Sequence, residues 1–291
     1  MSFSSLQSHQ APIYINSVEL VVRDIEAMIA FYRDVIGLTV LSENAEVASL
    51  GAGENAFLRL TSDKNAVQRS AGVPGLFHTA FLLPRRGDLG AWLRHALNIQ
   101  APLEGLSDHN VSEAAYISDP EGNGVEIYWD RPKASWTTAE GTVEMGTLRM
   151  DVQAVLGEAS KPLSGAYKVP LTTLVGHVHL SVGDLSEAGK IVSDVIGMKK
   201  KASYPQADFY ASGDYHHHIA VNTWHLGQKK LYERGFTGLS RVVLEIPDLE
   251  QRQMHALHIQ ASGGKMEENM MLFNGPSDIP FSLKLSPTNN I

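Results

Sequence analysis

Apolar residues alternate with other residues at the start of two distant stretches of this chain. In both places the period then changes to that of a helix. The stretches are SVELVVRDIEAMIAFYRDVIG (17–37) and HVHLSVGDLSEAGKIVSDVIG (177–197), and they align without gaps. Val18, Leu20, Val22 and Asp24 match Val178, Leu180, Val182 and Asp184, and Asp34-Val35-Ile36-Gly37 matches Asp194-Val195-Ile196-Gly197. Each Asp stands where it can cap the helix, and each Gly where it can end it. A second pair, GLFHTAFLLP (75–84) and GLSRVVLEIP (238–247), reads as a strand leading toward helices near Asp88–Leu97 and Asp248–His258.

Short strand-like runs follow every helix: Glu46–Leu50, Ala56–Thr61, Ala114–Ser118, Val125–Trp129, Phe209–Ser212, Ile219–Trp224 and Phe281–Leu285. The pattern predicts an α+β protein of four βαβββ modules, over 13–65, 74–132, 174–228 and 236–288. A connector at 133–173 fits neither strand nor repeat and carries a short helix near Val152–Glu158. Several strands after each helix favour small mixed sheets over one parallel wound sheet.

Composition narrows the function. A chain of 291 residues with 43% hydrophobic content can bury one large or two medium cores. No run of about 18 apolar residues predicts a transmembrane helix. The N-terminal MSFSSLQSHQAP does not read as a secretory signal. Cysteine is absent, which removes disulfides and thiolate chemistry and is compatible with a reducing cytoplasm. The net charge of -8, with no basic cluster, argues against nucleic acid and anionic membrane as partners. A homo-oligomer is compatible with this composition. Any metal must be held by nitrogen and oxygen, and there are 12 histidines, several of them clustered.

Three segments concentrate that chemistry: GLFH (75–78), the run from Asp108 to Asp130, and Gly176–Trp224 with GHVHL and DYHHHIAVNTW. Two imidazoles and one carboxylate on one face of Fe(II) leave positions open for a substrate and O2. His78 shares a strand face with Ala80 and Leu82; read alone, it is equally a buried, locally hydrogen-bonded residue. Glu126 alternates with Gly124 and Tyr128 and needs a cation if buried, either a metal or an Arg such as Arg131. His177 and His179 share a face, so only one need bind. Alternation keeps His216, His217 and His218 from all facing one cavity; a solvated turn is the plain alternative. Tyr116 can be an ordinary strand aromatic, and Tyr128, Trp129 and Trp224 fit core or cavity wall. The run DPEGNG is a tight turn, without EF-hand spacing or a P-loop lysine.

Tandem βαβββ modules with these motifs resemble the vicinal oxygen chelate superfamily. That superfamily holds glyoxalases, fosfomycin- and bleomycin-resistance proteins and extradiol ring-cleaving dioxygenases. The sharper motifs resemble type I extradiol dioxygenases of the catechol-2,3-dioxygenase-like branch. The resemblance implies modules paired into cupped mixed sheets around a metal. It implies His177 (in GHVHL), His78 (in GLFHTAF) and Glu126 as ligands, with His179 beside them. It implies His217 as the acid–base residue, Tyr116 as partner of a substrate oxygen, and His109 near the substrate.

In better-known relatives of that kind the active pair is modules three and four. Here the fourth module has Arg241 where His is expected and Ser282 or Lys284 in place of Glu, and the first module has Ser17. The ligand set is therefore split between modules two and three, which must face each other, leaving one and four as an empty pair. The function implied is Fe(II)-dependent cleavage of a catechol by O2 to a muconic semialdehyde. The alternatives are a glyoxalase-like isomerase or lyase using Zn or Ni, and a small-molecule binding protein with an inert site.

Overall fold

Each of the four units closes its own strand–helix–strand meander before the chain moves on. The structure, a computed structural model, describes residues 6–70, 72–136, 138–139, 142–159, 165–224, 227 and 231–285. The first unit contains β1 (Tyr14–Val22), α1 (Ile25–Ala30), β2 (Thr39–Glu43), β3 (Val47–Ala52) and β4 (Asn55–Ser62). The second contains β5 (Gly75–Leu83), α2 (Arg86–Asn98), β6 (Gly105–Asp108), β7 (Ser112–Ser118) and β8 (Gly124–Asp130). Between the halves lie β9 (Thr138–Ala139), β10 (Thr142–Val143), β11 (Leu148–Arg149) and α3 (Val152–Gly157). The third unit contains β12 (Leu174–Ser181), α4 (Leu185–Lys190), β13 (Lys199–Tyr204), β14 (Ala207–Ala211) and β15 (Ile219–Asn222). The fourth contains β16 (Gly238–Glu245), α5 (Leu249–Ala261), β17 (Lys265–Glu267), β18 (Met270–Asn274) and β19 (Pro280–Lys284).

Two mixed sheets result. One has eight strands in the order β17-β18-β19-β16-β1-β4-β3-β2, and the other nine in the order β11-β6-β7-β8-β5-β12-β15-β14-β13. The first and fourth units thus share a sheet through the antiparallel pair β1·β16, and the second and third through β5·β12. The segment between the halves, expected to carry no strand, adds β11 to the edge of the nine-stranded sheet against β6. Most of the apolar side chains fill one core, from Leu20 and Phe57 in the first unit to Trp92, Val178 and Leu283.

The repeated Asp and Gly act locally as their positions predict. Asp24 Oδ1 accepts from Ala27 N at 3.0 Å and Asp184 Oδ1 from Glu187 N at 2.9 Å. Gly37 and Gly197 end their helices at φ 93° and 80°, a region in which a Cβ is strained. The sequence gives no sign of what lies just before them, where both helices widen into a π turn, Phe31–Ile36 and Ile191–Val195. Carbonyls near the end of each turn are bonded from the next unit's helix. Trp92 Nε1 donates to Val35 O (3.1 Å) and His95 Nε2 to Asp34 O (2.8 Å); His255 Nε2 and His258 Nε2 bond Ile196 O and Asp194 O. The helix pattern is therefore completed by tertiary contacts that repeat with the modules.

β12 carries the decisive irregularity. Its pairing with β5 shifts between Val175 and His177, so Gly176 sits in a bulge. Val175, Val178 and Leu180 consequently all reach the core, while His177 and His179 line the cavity on the other side. A Cβ on Gly176 would lie 1.7 Å from the Tyr128 hydroxyl and 2.8 Å from its Cζ. Gly176→Ala should therefore displace Tyr128 and cost about 1–3 kcal/mol of stability. A urea midpoint lowered at unchanged slope is the expected result, and an unchanged midpoint would show that Tyr128 moves freely.

Candidate metal centre

β5, β8 and β12 are neighbours in the nine-stranded sheet, and their pairing sets the site. β5 and β8 run parallel with Ala80 opposite Glu126, and β5 and β12 run antiparallel with His78 opposite His179 and Ala80 opposite His177. Side chains from the three strands on this face meet over Ala80, whose methyl leaves room for them. His78 Nε2 lies 2.9 Å and His177 Nε2 3.2 Å from Glu126 Oε2. One ligand atom from each of these buried residues lies within 4.8 Å of the others. Donors about 2.1 Å from one ion at right angles would stand about 3 Å apart, so the spacing fits three adjacent ligands.

The hydrogen bonding also fits an ion. His78 Nε2 is buried and, despite its closeness to Glu126, makes no aligned hydrogen bond; His177 Nδ1 is likewise unpartnered among the described residues. Buried polar atoms are normally satisfied, so these two orphans need an account, and a metal at His78 Nε2 supplies one of them. Arg131, the alternative cation for Glu126, is engaged elsewhere, pairing with Asp108 at 2.7 Å and Glu113 at 3.3 Å.

Protonation favours ligation. Burial lowers the pKa of His177 to about 4 against the opposing pull of Glu126, so its imidazole is neutral with a lone pair available. Burial alone would raise Glu126, but the attraction of His177 and His78, which acts when an imidazole carries a proton, outweighs it and holds the carboxyl well below its usual range. Burial also drives His179 and His217 well below the usual imidazole value, with neighbouring histidines adding to the shift.

The remaining sequence candidates surround a cavity of about 560 Å³ that opens on this triad. His179 lines it, but its Nε2 accepts from Asn222 Nδ2 at 2.8 Å, so His177 rather than His179 presents a nitrogen to Glu126. His217 lies just before β15 and packs its ring 4.1 Å, centroid to centroid, from that of His177. His216 and His218 turn away, His216 into a part-buried bond to Asp130 and His218 into a buried bond to the Ser8 carbonyl. The three histidines therefore do not form a solvated turn.

Across the cavity the Gly146 carbonyl accepts from His109 Nδ1 at 2.7 Å, which leaves His109 Nε2 to accept from the Tyr116 hydroxyl at 2.7 Å. His109 thus meets the cavity as the partner of Tyr116. Burial first, and then the Glu126 charge, raise the Tyr116 phenol well above its usual pKa, so it stays protonated. Phe77, Phe209 and Trp224 supply an aromatic wall. Sequence reasoning did not single out Asn222 or Asp130. Asp130 could have been found, because two-residue alternation from Glu126 through Tyr128 puts it on the same face.

The profile of the Glyoxalase/Bleomycin resistance protein/Dioxygenase superfamily matches residues 14–127. The chain is 36% identical over 262 residues to catechol-2,3-dioxygenase of Bacillus subtilis (strain 168), covering 88% of this chain and 90% of that one. It is 30% identical over 118 residues to biphenyl-2,3-diol 1,2-dioxygenase 3 of Rhodococcus globerulus, covering 38% of this chain and 60% of that one. A solved structure from Bacillus subtilis subsp. subtilis str. 168, provisionally assigned as a dioxygenase, superposes with a TM-score of 0.65 at 14% identity. That match covers 94% of this chain and 86% of the other and speaks to the fold alone. The chain belongs to the glyoxalase, bleomycin-resistance and dioxygenase superfamily, and its relatives by sequence are dioxygenases. No helix among the described residues is long and apolar enough to cross a membrane.

Two outcomes are expected of the site. Glu126→Gln should weaken divalent-metal binding at least a hundredfold in equilibrium dialysis, whereas His179→Gln should change it by about tenfold or less. Equal losses would remove the distinction between His177 and His179. Acid should also destabilise the metal-free chain. His177 titrates at about 4 and the fully buried His218 at about 3, against about 6.5 in the unfolded chain. Below pH 6.5 the unfolded state binds more protons, so stability falls with pH, by about 2 kcal/mol per imidazole at pH 5. Urea midpoints at pH 7 and pH 5 measure this.

Proposed function

We propose that this chain is an Fe(II)-dependent extradiol dioxygenase that opens the ring of catechol or a substituted catechol with O2, giving a muconic semialdehyde. The observation that carries the reading is a buried His78–Glu126–His177 triad facing a cavity that also holds neutral His217 and protonated Tyr116. The likeness to catechol-2,3-dioxygenase over most of both chains supports the same chemistry. When bound, Fe(II) supplies Lewis acidity toward the diol oxygens and a route for electron density between ring and O2, which Zn(II) lacks.

The protein's own groups do the rest. Glu126 contributes one negative charge and the two imidazoles none, so one positive charge of a divalent ion is left for a singly deprotonated diol. His217 takes a hydroxyl proton and returns it during ring opening, as a neutral imidazole can. Tyr116, whose hydroxyl proton is taken up by His109 Nε2, accepts a hydrogen bond from the substrate hydroxyl that keeps its proton. Phe77, Phe209 and Trp224 hold the flat ring and limit water around it. The His217 and Tyr116 pair favours oxygen chemistry over a glyoxalase-like isomerisation, which would need a carboxylate base.

Iron-loaded protein should consume about one O2 per catechol and turn the solution yellow. His217→Phe should lower kcat by about 10²–10⁴-fold while iron content is unchanged. No oxygen uptake across several catechols, or recovery of zinc or nickel with isomerase activity from anaerobically purified protein, would overturn the assignment.

A further inference from the structure

Behind His217 runs a chain of hydrogen-bonded groups that no step above uses. The carboxylate of Asp130 can only accept hydrogen bonds. Its Oδ2 accepts from the Tyr215 hydroxyl at 2.9 Å, and Tyr215 in turn accepts from the Tyr128 hydroxyl at 2.8 Å. Its Oδ1 lies 2.8 Å from His216 Nε2, so that nitrogen must carry a proton. A neutral imidazole protonated on Nε2 has its lone pair on Nδ1, and His216 Nδ1 lies 2.7 Å from His217 Nδ1. With His216 neutral, His217 is the donor, with its proton on Nδ1.

The surroundings keep this order fixed. The His216 side chain is 0% exposed, and the Trp136 ring covers it with centroids 5.2 Å apart. Water therefore cannot offer either nitrogen another partner. His217 Nε2 has no hydrogen-bond partner among the described residues, and His217 lines the cavity.

We propose that Asp130 and His216 are positioning residues that lock His217 in the Nδ1–H tautomer, with the bare Nε2 turned to the cavity to receive a hydroxyl proton from the substrate. In that step the diol O–H breaks, N–H forms at His217 Nε2, and the electron pair stays on the diol oxygen. The charge that develops on His217 is met through His216 by Asp130. A carboxylate orienting an imidazole is the logic of hydrolytic triads, extended here by one ring. What the proton does rests on the dioxygenase reading; where it sits rests on hydrogen bonds alone.

The test uses the full chain labelled with ¹⁵N-histidine and loaded with Zn(II), which is diamagnetic. Long-range ¹H–¹⁵N correlations, with His217 assigned by loss of its signals in His217→Gln, should show Nδ1–H and unprotonated Nε2 for His217, and Nε2–H for His216. His216→Phe keeps a ring but removes the acceptor, and Asp130→Ala removes the anchor. Both should spread His217 over two tautomers. In iron-loaded His216→Phe, kcat should fall about a hundredfold, with KM for catechol within about twofold. His217 protonated on Nε2 in the unmutated chain would overturn the proposal even if neither variant folds, and so would an unchanged tautomer in folded variants. If the unmutated chain shows the expected tautomer but cleaves no diol, the lock stands and the dioxygenase reading fails.

Discussion

A carboxylate buried between two imidazoles is the constraint on which the arrangement of this half of the molecule depends. Among the described residues no lysine or arginine pairs with Glu126, and a desolvated anion without a cation is costly by several kcal/mol. Arg131 is committed to Asp108 and Glu113, Arg86 to Glu113 and Glu158, and Arg69, which lines the cavity, donates to the Val73 and Leu76 carbonyls. The site is thus short of one positive centre, and His78 and His177 both bring a ring nitrogen close to the carboxylate there. The imidazoles are neutral donors, and the phenol beyond them keeps its proton.

The neighbouring half shows what the same scaffold becomes without that constraint. Ser17, Glu19, Arg241 and Ser282 occupy the corresponding strands β1, β16 and β19, where Arg241 approaches Glu19 only to 4.0 Å. The two sheets repeat one strand order, and the first and third units share the Asp cap and the left-handed glycine, so the fold does not depend on the His78, Glu126 and His177 set. Of the two sheets, only the nine-stranded one brings a His/Glu/His set together among the described residues.

Precision in the active sheet comes from small residues as much as from ligands. Gly176 admits the Tyr128 hydroxyl beneath β12, and the bulge it sits in lets His177 face the site while Val175 and Val178 both pack in the core. Gly124, opposite His78 on β8, has no room for a Cβ, which would lie 2.2 Å from the Phe77 carbonyl and 3.0 Å from His78 Cβ. Close backbone approach at these two glycines holds the three ligand-bearing strands at a spacing that a larger residue would widen.

Much of this was written locally in the chain. Alternation followed by a helical period at 17–37 and 177–197 determined the modules, because burial of one strand face and one helix face leaves no other pattern. The loss of His and Glu from the first and fourth modules pointed to the second and third as partners. The same alternation placed His78 and Glu126 on definite faces. Other features are not encoded at short range. Alternation puts His177 and His179 on one face; only the folded chain shows Asn222 of β15 bonded to His179 and His177 beside Glu126. The sorting of His216, His217 and His218 followed from a loop conformation, with Asp130 and the Ser8 carbonyl drawing two of them away. The π turns depend on donors from helices one module later, and the strand β11 exists only because β6 offers it an edge. Periodicity reports which face a residue takes, but which neighbour meets it there depends on how strands distant in sequence pack together, and that is a property of the tertiary structure alone.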